Sequence, residues 1–189
     1  MDSVHKGQGE AMMRTGWRTL TLNDLPQVGA LADAVHQAYP ERPEVAVERL
    51  RLFPAGCFVA EVDGAFCGYG LTHPWIDGAP PALDSLLGGL PAAPDCLYVH
   101  DVALNVAARG RGLGRALVGR LTDLAAAHGL PRLSLIAVGG SAPGWRAMGF
   151  HEVPVDPASA LAAKLASYDA DAVYMTCPVM LPAGRDAHA

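Results

Sequence analysis

The amino-acid sequence predicts a single α/β domain in which helices cover the faces of a mixed sheet. Segments with strand-like alternation or short apolar runs are interleaved with segments whose apolar residues recur at helical spacing. The best strand pattern, 96–104, leads through a stretch rich in glycine and arginine, 109–116, into a helical pattern. The 189 residues suit one domain, which we expect at 17–181, between a loose leader at 1–16 and a polar tail at 182–189.

The individual elements can be predicted in order along the chain. The patterns indicate a strand at 17–22, helices at 24–39 and 45–52, strands at 58–62, 65–71 and 96–104, a helix from 113 to near 129, a strand at 133–138, a helix at 141–148, a strand after 150, a helical stretch near 161 and a last strand within 168–179. Asp63 and Gly64 indicate a hairpin, because such a pair adopts the positive φ angles of a tight turn. Ser141 is placed to cap the short helix.

Residues 74–95 fit neither the alternation of a strand nor the apolar spacing of a helix. They are rich in proline around an apolar stretch, 83–90, and predict a surface excursion that carries one helical turn. Loops of this length are often functional, so the excursion either covers a substrate site or is a decorative insertion. Trp75, at its start, either lines an acceptor pocket or covers the edge of the sheet.

Composition narrows the classes of function. A net charge of −5 argues against broad nucleic-acid binding, which needs a basic surface, and is compatible with a cationic or amine substrate. The four cysteines are widely spaced and no histidine cluster accompanies them, so neither a metal site nor a disulfide framework is expected. No run approaches the ~18 apolar residues of a membrane span, and residues 1–16 lack the apolar centre of a signal peptide. We therefore expect a cytoplasmic protein without a membrane partner.

The stretch at 109–116 is the most informative in the sequence. Between a strand and a helix, glycines let a ligand approach the backbone, and the amides at a helix N-terminus attract phosphate. A Walker A loop is excluded because no lysine follows the glycines, and the dinucleotide fingerprint is excluded because Arg115 stands where its third glycine belongs. What remains is Arg109-x-x-Gly112-x-Gly114, which is either a phosphate-binding loop of another kind or a glycine-rich turn that starts a helix.

This pattern resembles the loop that binds the acyl-CoA pyrophosphate in the GNAT acetyltransferase superfamily. A second segment, Trp145 to Phe150, is similar to the family's aromatic-x-x-hydrophobic-Gly-Phe segment and stands one strand later, as in the family. The sequence is most similar to bacterial members with a Tyr-x-His-Asp strand and a Ser-Ala-Pro helix start. The resemblance implies the GNAT fold, with a mixed, mostly antiparallel sheet of about six to seven strands and helices on both faces. It also implies an N-acetyltransferase that passes an acetyl group directly from acetyl-CoA to a primary amine.

The same resemblance implies which residues hold acetyl-CoA. Backbone groups of the fourth strand would pair with the pantetheine amides, and the amides of the loop with the pyrophosphate. The implied set is Val102, Ala103, Leu104, Arg109, Gly110, Arg111, Gly112, Leu113, Gly114, Arg115, Ser141 and Trp145. The arginines add charge-assisted contacts, which are stronger than neutral hydrogen bonds. No metal is implied, and a homodimer is common in the family.

Two positions depart from the family pattern. Trp145 stands where many members carry a tyrosine that protonates the departing CoA thiolate, and an indole N–H cannot act as that acid. Tyr98, Tyr168, Tyr174 or water would have to act instead, or the thiolate leaves unaided. The family's frequent asparagine is replaced by the turn at 139–142. The alternative to an enzyme is therefore a non-catalytic acyl-CoA-binding sensor or regulatory module.

His100 is the candidate general base, with Tyr98 as its partner one pleat away. An amine must lose a proton before it attacks a thioester, and the imidazole side chain titrates near neutral pH. Strict alternation predicts two faces of the strand, one with Tyr98, His100, Val102 and Leu104, the other with Val99, Asp101 and Ala103. His100 is either the base or a histidine satisfied by its neighbours, and Asp101 is expected to be structural. His73 either reaches an acceptor pocket or is a plain loop histidine.

The segments expected to select the acceptor, 36–56 and 74–95, are those with the least clear sequence patterns. Small polyamines, aminoglycosides, amino acids and protein N-termini are all compatible with the pattern, because a fold does not fix a substrate.

Overall fold

The computed structural model describes residues 15–182, so most of the predicted leader and tail, at 1–14 and 183–189, lies outside the described residues. Within this range no helix is both long and apolar enough to cross a membrane. The elements in chain order are β1 (Thr15–Thr19), α1 (Leu25–Val35), α2 (Pro43–Leu52), β2 (Cys57–Val62), β3 (Ala65–Trp75), β4 (Cys96–Leu104), α3 (Leu113–Ala127), β5 (Arg132–Ala137), α4 (Ala142–Ala147), β6 (His151–Glu152), α5 (Ala160–Leu165) and β7 (Val173–Pro178).

The strands of the described chain form one mixed sheet in the order β1-β2-β3-β4-β5-β7-β6. Every neighbouring pair among them is antiparallel except β4 and β5, which run parallel. The predicted fold class, a mostly antiparallel mixed sheet with helices on both faces, is confirmed. β4 has the predicted bounds, and the hairpin turn at Asp63 and Gly64 has φ angles of 53° and 79°.

The sheet opens in its middle, between β4 and β5. Over the described residues these strands pair only through Leu97 with Leu133 and Tyr98 with Ser134. Beyond Tyr98, the side of β4 that faces β5 therefore presents backbone N–H and C=O groups without a strand partner there. β4 therefore splays away from β5. It leaves a V-shaped opening with β1 to β4 on one side and β5, β7 and β6 on the other.

The two largest apolar cores lie on opposite faces of the sheet. On one face, Leu117 of α3 and Leu133 of β5 belong to the larger core. On the other face, Val28 of α1 and Tyr69 of β3 belong to a second core. Burial of these apolar side chains holds the helices on the sheet. As a result α3 fixes the loop that precedes it, and α1 and α2 fix the segment between them, 36–42.

The first helix and the third strand differ in length from the prediction. α1 ends at Val35, earlier than predicted, because the next residue, His36, leaves the helix and forms an ion pair with a carboxylate of β4. β3 continues through Pro74 to Trp75. The described part of β2 pairs with β3 only as far as Leu71, and a proline is tolerated where no neighbouring strand needs its missing N–H.

The helical turn predicted in the excursion is wrong. Residues 76–95 contain no helix, and α2 holds the segment through its own side chains. Glu48 accepts hydrogen bonds from the backbone N–H groups of Leu87 and Gly88. Arg49, which is fully buried, donates to the carbonyl of Ser85. These hydrogen bonds satisfy backbone groups that a helical turn would have paired internally.

Two predictions at the ends of elements also fail. β1 spans Thr15–Thr19 instead of 17–22, because Thr21 and Asp24 form a capping box that starts a helical turn. Ser141 precedes α4, but its side chain makes no capping hydrogen bond with the described residues. Its backbone is already helical, with φ −77° and ψ −14°, whereas a capping residue needs an extended backbone.

Candidate active site

A β-bulge in β4 decides where the candidate chemical groups point. Leu71 of β3 faces Asp101, but the next residue of β3, Thr72, faces Val99. His100 is therefore the extra residue between these two described strands, and such a residue breaks the alternation of a strand. His100 and Asp101 both reach toward the segment that joins α1 and α2. The prediction that they lie on opposite faces is wrong.

The bulge also separates residues that were predicted to share a face. Val102 and Leu104 pack with Val99 against the core under α3. Tyr98 belongs to a different cluster on the opposite side. Of the predicted set, Tyr98 and His100 stay together, with ring centroids 6.5 Å apart. Strict alternation fails here because it takes no account of an inserted residue.

His100 is paired with a carboxylate that the motifs did not single out. Its Nε2 lies 2.9 Å from Glu41 Oε2, and only 8% of the His100 side chain and 17% of the Glu41 side chain are exposed. Glu41 also accepts a 2.9 Å hydrogen bond from the backbone N–H of Asp84 in the excursion. Burial acts to raise the pKa of Glu41, but the hydrogen bond and charge of His100 outweigh it and hold that pKa below its usual value. With Nε2 turned to Glu41, Nδ1 is the nitrogen of His100 left to accept a proton.

A second histidine–carboxylate pair lies beside the first. His36 Nε2 is 2.8 Å from Asp101 Oδ1, and Asp101 Oδ2 accepts a 2.5 Å hydrogen bond from the Tyr69 hydroxyl. The ion pair raises the pKa of His36. Burial acts to raise the pKa of Asp101, but the contact with His36 lowers it below its usual value. Asp101 thus ties the end of α1 to β4, which is a structural role.

His73 supports the wall behind His100. It is fully buried in β3, and its Nε2 has no hydrogen-bond partner among the described residues. Its ring lies 5.2 Å from the ring of Trp75 and 6.0 Å from that of His100. Burial lowers the pKa of His73 to about 3, so the ring is neutral near pH 7. It is neither a loop residue nor part of the groove described below.

The tyrosines considered as acids differ in their surroundings. Tyr98 is 5% exposed, and its hydroxyl has no hydrogen-bond partner within residues 15–182. Burial raises the pKa of Tyr98 well above its usual value, which makes it a weak acid. The Tyr174 hydroxyl already donates a 2.7 Å hydrogen bond to Asp77. Tyr168 is half-buried, and burial raises the pKa of this tyrosine as well.

The loop before α3 has the conformation of a ligand-binding turn. Asn105 caps its first turn with its side chain. Gly110 and Gly112 both have a φ of +75°, in the left-handed region that other residues adopt only at a cost. Gly112 is the N-cap of α3, so the N–H groups of the first turn of α3, which have no partner within the helix, begin there. These amides carry the partial positive charge that attracts an anion.

One groove of about 920 Å³ joins this loop to His100. It follows the opening between β4 and β5, and His100, Glu41, Tyr98 and Tyr168 lie along it. From the predicted acetyl-CoA set, the groove is lined by Val102, Ala103, Leu104, Arg109, Gly114, Ser141 and Trp145. Exposed positions beside it are Gly110, Arg111, Gly112 and Arg115. A donor on the loop and an acceptor beside His100 would therefore share one space.

Some residues of the predicted set build the frame of the groove. Leu113 is buried, and its carbonyl accepts a 2.9 Å hydrogen bond from the indole of Trp17. Arg115 donates to a carbonyl at the end of α4. Trp145 packs edge-on against Phe150, with ring centroids 5.2 Å apart. These contacts fix the start of α3 against β1 and α4.

A comparison with protein families decides the affiliation of the chain. The model of the acetyltransferase (GNAT) family matches residues 25–152, which include the bulged strand, the loop and α4. This match covers more than half of the chain.

The chain belongs to the GNAT acetyltransferase family. The resemblance inferred from the glycine–arginine loop is thereby confirmed. A curated relative, the L-2,4-diaminobutyric acid acetyltransferase of Nocardia farcinica (strain IFM 10152), is 37% identical over 84 residues. The aligned region is 44% of this chain and 35% of the relative, so the match spans about a third of the relative's length.

Solved structures share the fold at low sequence identity. The ribosomal-protein-S18-alanine N-acetyltransferase of Escherichia coli has a TM-score of 0.62 at 19% identity, and the match covers 93% of this chain and 100% of that chain. The GNAT-like decarboxylase GphF in complex with isobutyryl-CoA has a TM-score of 0.67 at 16% identity, covering 87% of this chain and 99% of that chain. One GNAT fold thus serves different reactions, so the reaction has to be argued from the site.

The groove residues that sequence reasoning missed include Tyr39, Glu41 and Asp169. No motif marks them, because their positions depend on contacts between distant parts of the chain. One signal could have pointed to Glu41. It is the only acidic residue in the segment 36–42, which the GNAT element order places between the first two helices.

Proposed function

We propose that this GNAT family member transfers the acetyl group of acetyl-CoA to a primary amine within a ternary complex. The observation that carries the proposal is the single groove shared by the loop before α3 and the His100–Glu41 pair. Proximity of donor and acceptor in one groove supplies much of the rate enhancement in such a reaction. The curated relative is named for the acetylation of L-2,4-diaminobutyric acid, so a small diamino acid is the first acceptor to test.

Acetyl-CoA would bind along the opening between β4 and β5. The free backbone edge at 102–104 offers hydrogen bonds to the pantetheine amides. The amides at the start of α3, with Arg109 beside them, suit the pyrophosphate. Gly110 and Gly112 leave this backbone without side chains that would keep a ligand away. The complex of GphF with isobutyryl-CoA supports acyl-CoA as the class of donor.

His100 is the proposed general base, and Glu41 positions it. At neutral pH an amine is mostly protonated, and His100 Nδ1 accepts the ammonium proton, directly or through water. The neutral amine then attacks the thioester carbonyl carbon, so that a C–N bond forms and the C–S bond breaks. Glu41, 2.9 Å from Nε2, fixes the orientation of the imidazole and stabilises the imidazolium. After the C–N bond has formed, the nitrogen loses a second proton. This loss balances the proton that the CoA thiolate takes up.

Water is the proposed source of the proton for the thiolate. Trp145 has no acidic group, burial makes Tyr98 a weak acid, and the Tyr174 hydroxyl is engaged with Asp77. An ordinary thiol has a pKa of only ~8.5, so the thiolate is a tolerable leaving group without a dedicated acid. The transfer therefore does not require the tyrosine that many family members carry at the position of Trp145.

A non-catalytic acyl-CoA-binding module is the second candidate, and Trp145 is the observation that favours it. The two candidates are separated by mixing purified protein with acetyl-CoA and a panel of amines that includes 2,4-diaminobutyric acid, and following release of the CoA thiol. The enzyme predicts thiol release that depends on the amine and yields an equal amount of N-acetyl product. Binding of acetyl-CoA without release for any amine would contradict the enzyme and support the module.

A further inference from the structure

Tyr39 and Asp169 connect the two sides of the groove. Tyr39 follows α1 on the β1–β4 side of the opening, and Asp169 precedes β7 on the other side. The Tyr39 hydroxyl donates a 2.5 Å hydrogen bond to Asp169 Oδ2 and accepts a 3.3 Å hydrogen bond from the Asp169 backbone N–H. Both residues line the groove, and we call this contact the cross-groove bridge.

The cross-groove bridge is anchored on both sides of the opening. Asp169 Oδ2 also accepts a 2.8 Å hydrogen bond from the backbone N–H of Gly139, which follows β5. The ring of Tyr39 packs against that of Tyr168, with centroids 5.5 Å apart. The hydrogen bond from Tyr39 lowers the pKa of Asp169, so the carboxylate stays charged and the bond is charge-assisted near pH 7. Such a bond is stronger than one between neutral groups.

The excursion bounds the same end of the groove from a third direction. Its residues 81–83 line the groove. Asp84, next to them, donates its backbone N–H to Glu41, and its carboxylate accepts a 2.7 Å hydrogen bond from the backbone N–H of Arg42. The acceptor end is therefore bounded by three segments, 36–42, 81–84 and 168–169, that are joined by hydrogen bonds. Protein segments therefore border the end beside His100 on three sides.

We infer that the cross-groove bridge determines specificity by restricting the acceptor to a small amine and excluding a polypeptide N-terminus. This inference rests on the proposed function and deepens it. A peptide whose terminal amine reached His100 would continue as an extended chain at about 3.3 Å per residue. A chain that continued along the groove past Tyr39 and Asp169 would have to separate these two side chains. A small amine can bind without separating the two residues. The free energy needed to break the bridge therefore weakens the binding of the peptide only.

The test compares acetylation of 2,4-diaminobutyric acid with acetylation of a tripeptide that carries the same residue at its N-terminus. The wild type is expected to prefer the free amino acid by at least about 100-fold in kcat/KM. Tyr39→Phe removes the hydroxyl and keeps the ring, and Asp169→Asn removes the charge and keeps the shape. Each is expected to lower that preference about tenfold, because the closed arrangement loses a charge-assisted hydrogen bond.

Tyr168→Phe is the matched control, because it removes a neighbouring hydroxyl that has no hydrogen-bond partner within residues 15–182. It is expected to leave the preference unchanged, whatever its effect on kcat. Equal kcat/KM for the amino acid and the tripeptide in the wild type would overturn the inference, as would an unchanged preference in both bridge variants. Failure to acetylate any amine would instead overturn the proposed function, and this inference with it.

Discussion

The proposed donor half and the proposed acceptor half of the groove are built in different ways. The donor half comes mostly from one contiguous stretch, 102–115, which supplies a strand edge, a loop and the start of a helix, and Ser141 and Trp145 add to it. The acceptor half brings together His100, Glu41, Asp84 and Asp169 from four separate segments. A contiguous stretch can be recognised by its pattern, whereas a site assembled from distant segments cannot. The glycine–arginine pattern that resembles the family lies in the proposed donor half, and we expect the choice of acceptor to depend on the other half.

The largest expected effect is on kcat, when the proposed base is removed. This change tests whether the two halves of the groove act separately. His100→Ala is expected to lower kcat about 10²–10⁴-fold, because it removes the imidazole that we propose accepts the proton of the ammonium. The Kd for acetyl-CoA should stay within about twofold, because His100 belongs to the acceptor half. Steady-state kinetics and calorimetry on the same preparation measure both quantities.

His128→Ala is the control for this prediction, because His128 is an exposed histidine that follows α3 and does not line the groove. His128→Ala should change neither kcat nor the Kd for acetyl-CoA. Wild-type kcat in His100→Ala would remove this residue from the mechanism, and a parallel loss of acetyl-CoA affinity would contradict the division into two halves.

Glu41→Gln tests whether the acceptor half depends on its long-range contacts. The substitution keeps the size of the side chain and removes the charge 2.9 Å from His100. We expect kcat to fall about 10²-fold while the KM for the amine stays within about twofold, because the imidazole is no longer held in its orientation. Glu44→Gln removes the same charge from an exposed position in α2 and should leave kcat unchanged. A merely structural Glu41 would lower the free energy of unfolding without lowering kcat of the folded enzyme.

Gly112→Ala tests the donor half alone. Its φ of +75° strains any other residue, so we expect the free energy of unfolding to fall by about 1 kcal/mol. We also expect acetyl-CoA affinity to fall about tenfold, because a Cβ at the N-cap of α3 would stand where the pyrophosphate approaches the backbone.

Gly64→Ala is the matched control for Gly112→Ala. Gly64 has a φ of +79°, and at neither glycine would a Cβ meet any described atom within 4 Å. It should show the same loss of stability in chemical denaturation with unchanged binding of acetyl-CoA. Equal loss of affinity in both variants would mean that strain, and not the phosphate site, explains the result.

The smallest expected effect concerns the ion pair that ties α1 to β4. The pKa of His36 is raised above the ordinary 6.5 of a histidine by Asp101. A raised pKa contributes stability that is complete below pH 6.5 and is lost as the pH rises through the pKa of the folded state. His73 has a lowered pKa, so its contribution changes only below pH 6.5 and does not overlap with this window. We expect the free energy of unfolding to decrease by up to about 1 kcal/mol above pH 6.5.

His36→Gln should abolish this decrease, and His128→Gln should keep it. The measurement is urea unfolding at a series of pH values between 6 and 7.5, below the range in which the cysteine thiols of the unfolded chain ionise. An identical slope in His36→Gln and the wild type would assign the decrease to other groups.

The sequence predicted well what local patterns control. The bounds of β4, the hairpin turn at Asp63 and Gly64, and the start of α3 follow from alternation, turn chemistry and helical spacing within a few residues. The mixed sheet followed from the order of the elements. His100 and Tyr98 were placed together correctly because they precede or occupy the bulge.

The bulge, the cross-groove bridge and the conformation of the excursion could not be predicted, because they depend on tertiary contacts. The bulge at His100 arises from the pairing of β3 with β4 and carries no local signal. Tyr39 and Asp169 are 130 positions apart, and only the folded chain brings them into contact. The apolar residues of the excursion allow a helical turn, which is why the pattern predicts one. Hydrogen bonds to Glu48 and Arg49 of α2 hold it in another conformation.

The central claim is that the donor half of the groove binds acetyl-CoA as a site of its own. Calorimetric titration of the wild-type protein with acetyl-CoA, with ATP and NAD as controls and no amine present, tests it most directly. The account predicts micromolar binding of acetyl-CoA and no binding of ATP or NAD, because the pantetheine arm is needed to pair with the free edge of β4. Absence of acetyl-CoA binding in folded protein, or equal binding of all three ligands, would contradict it.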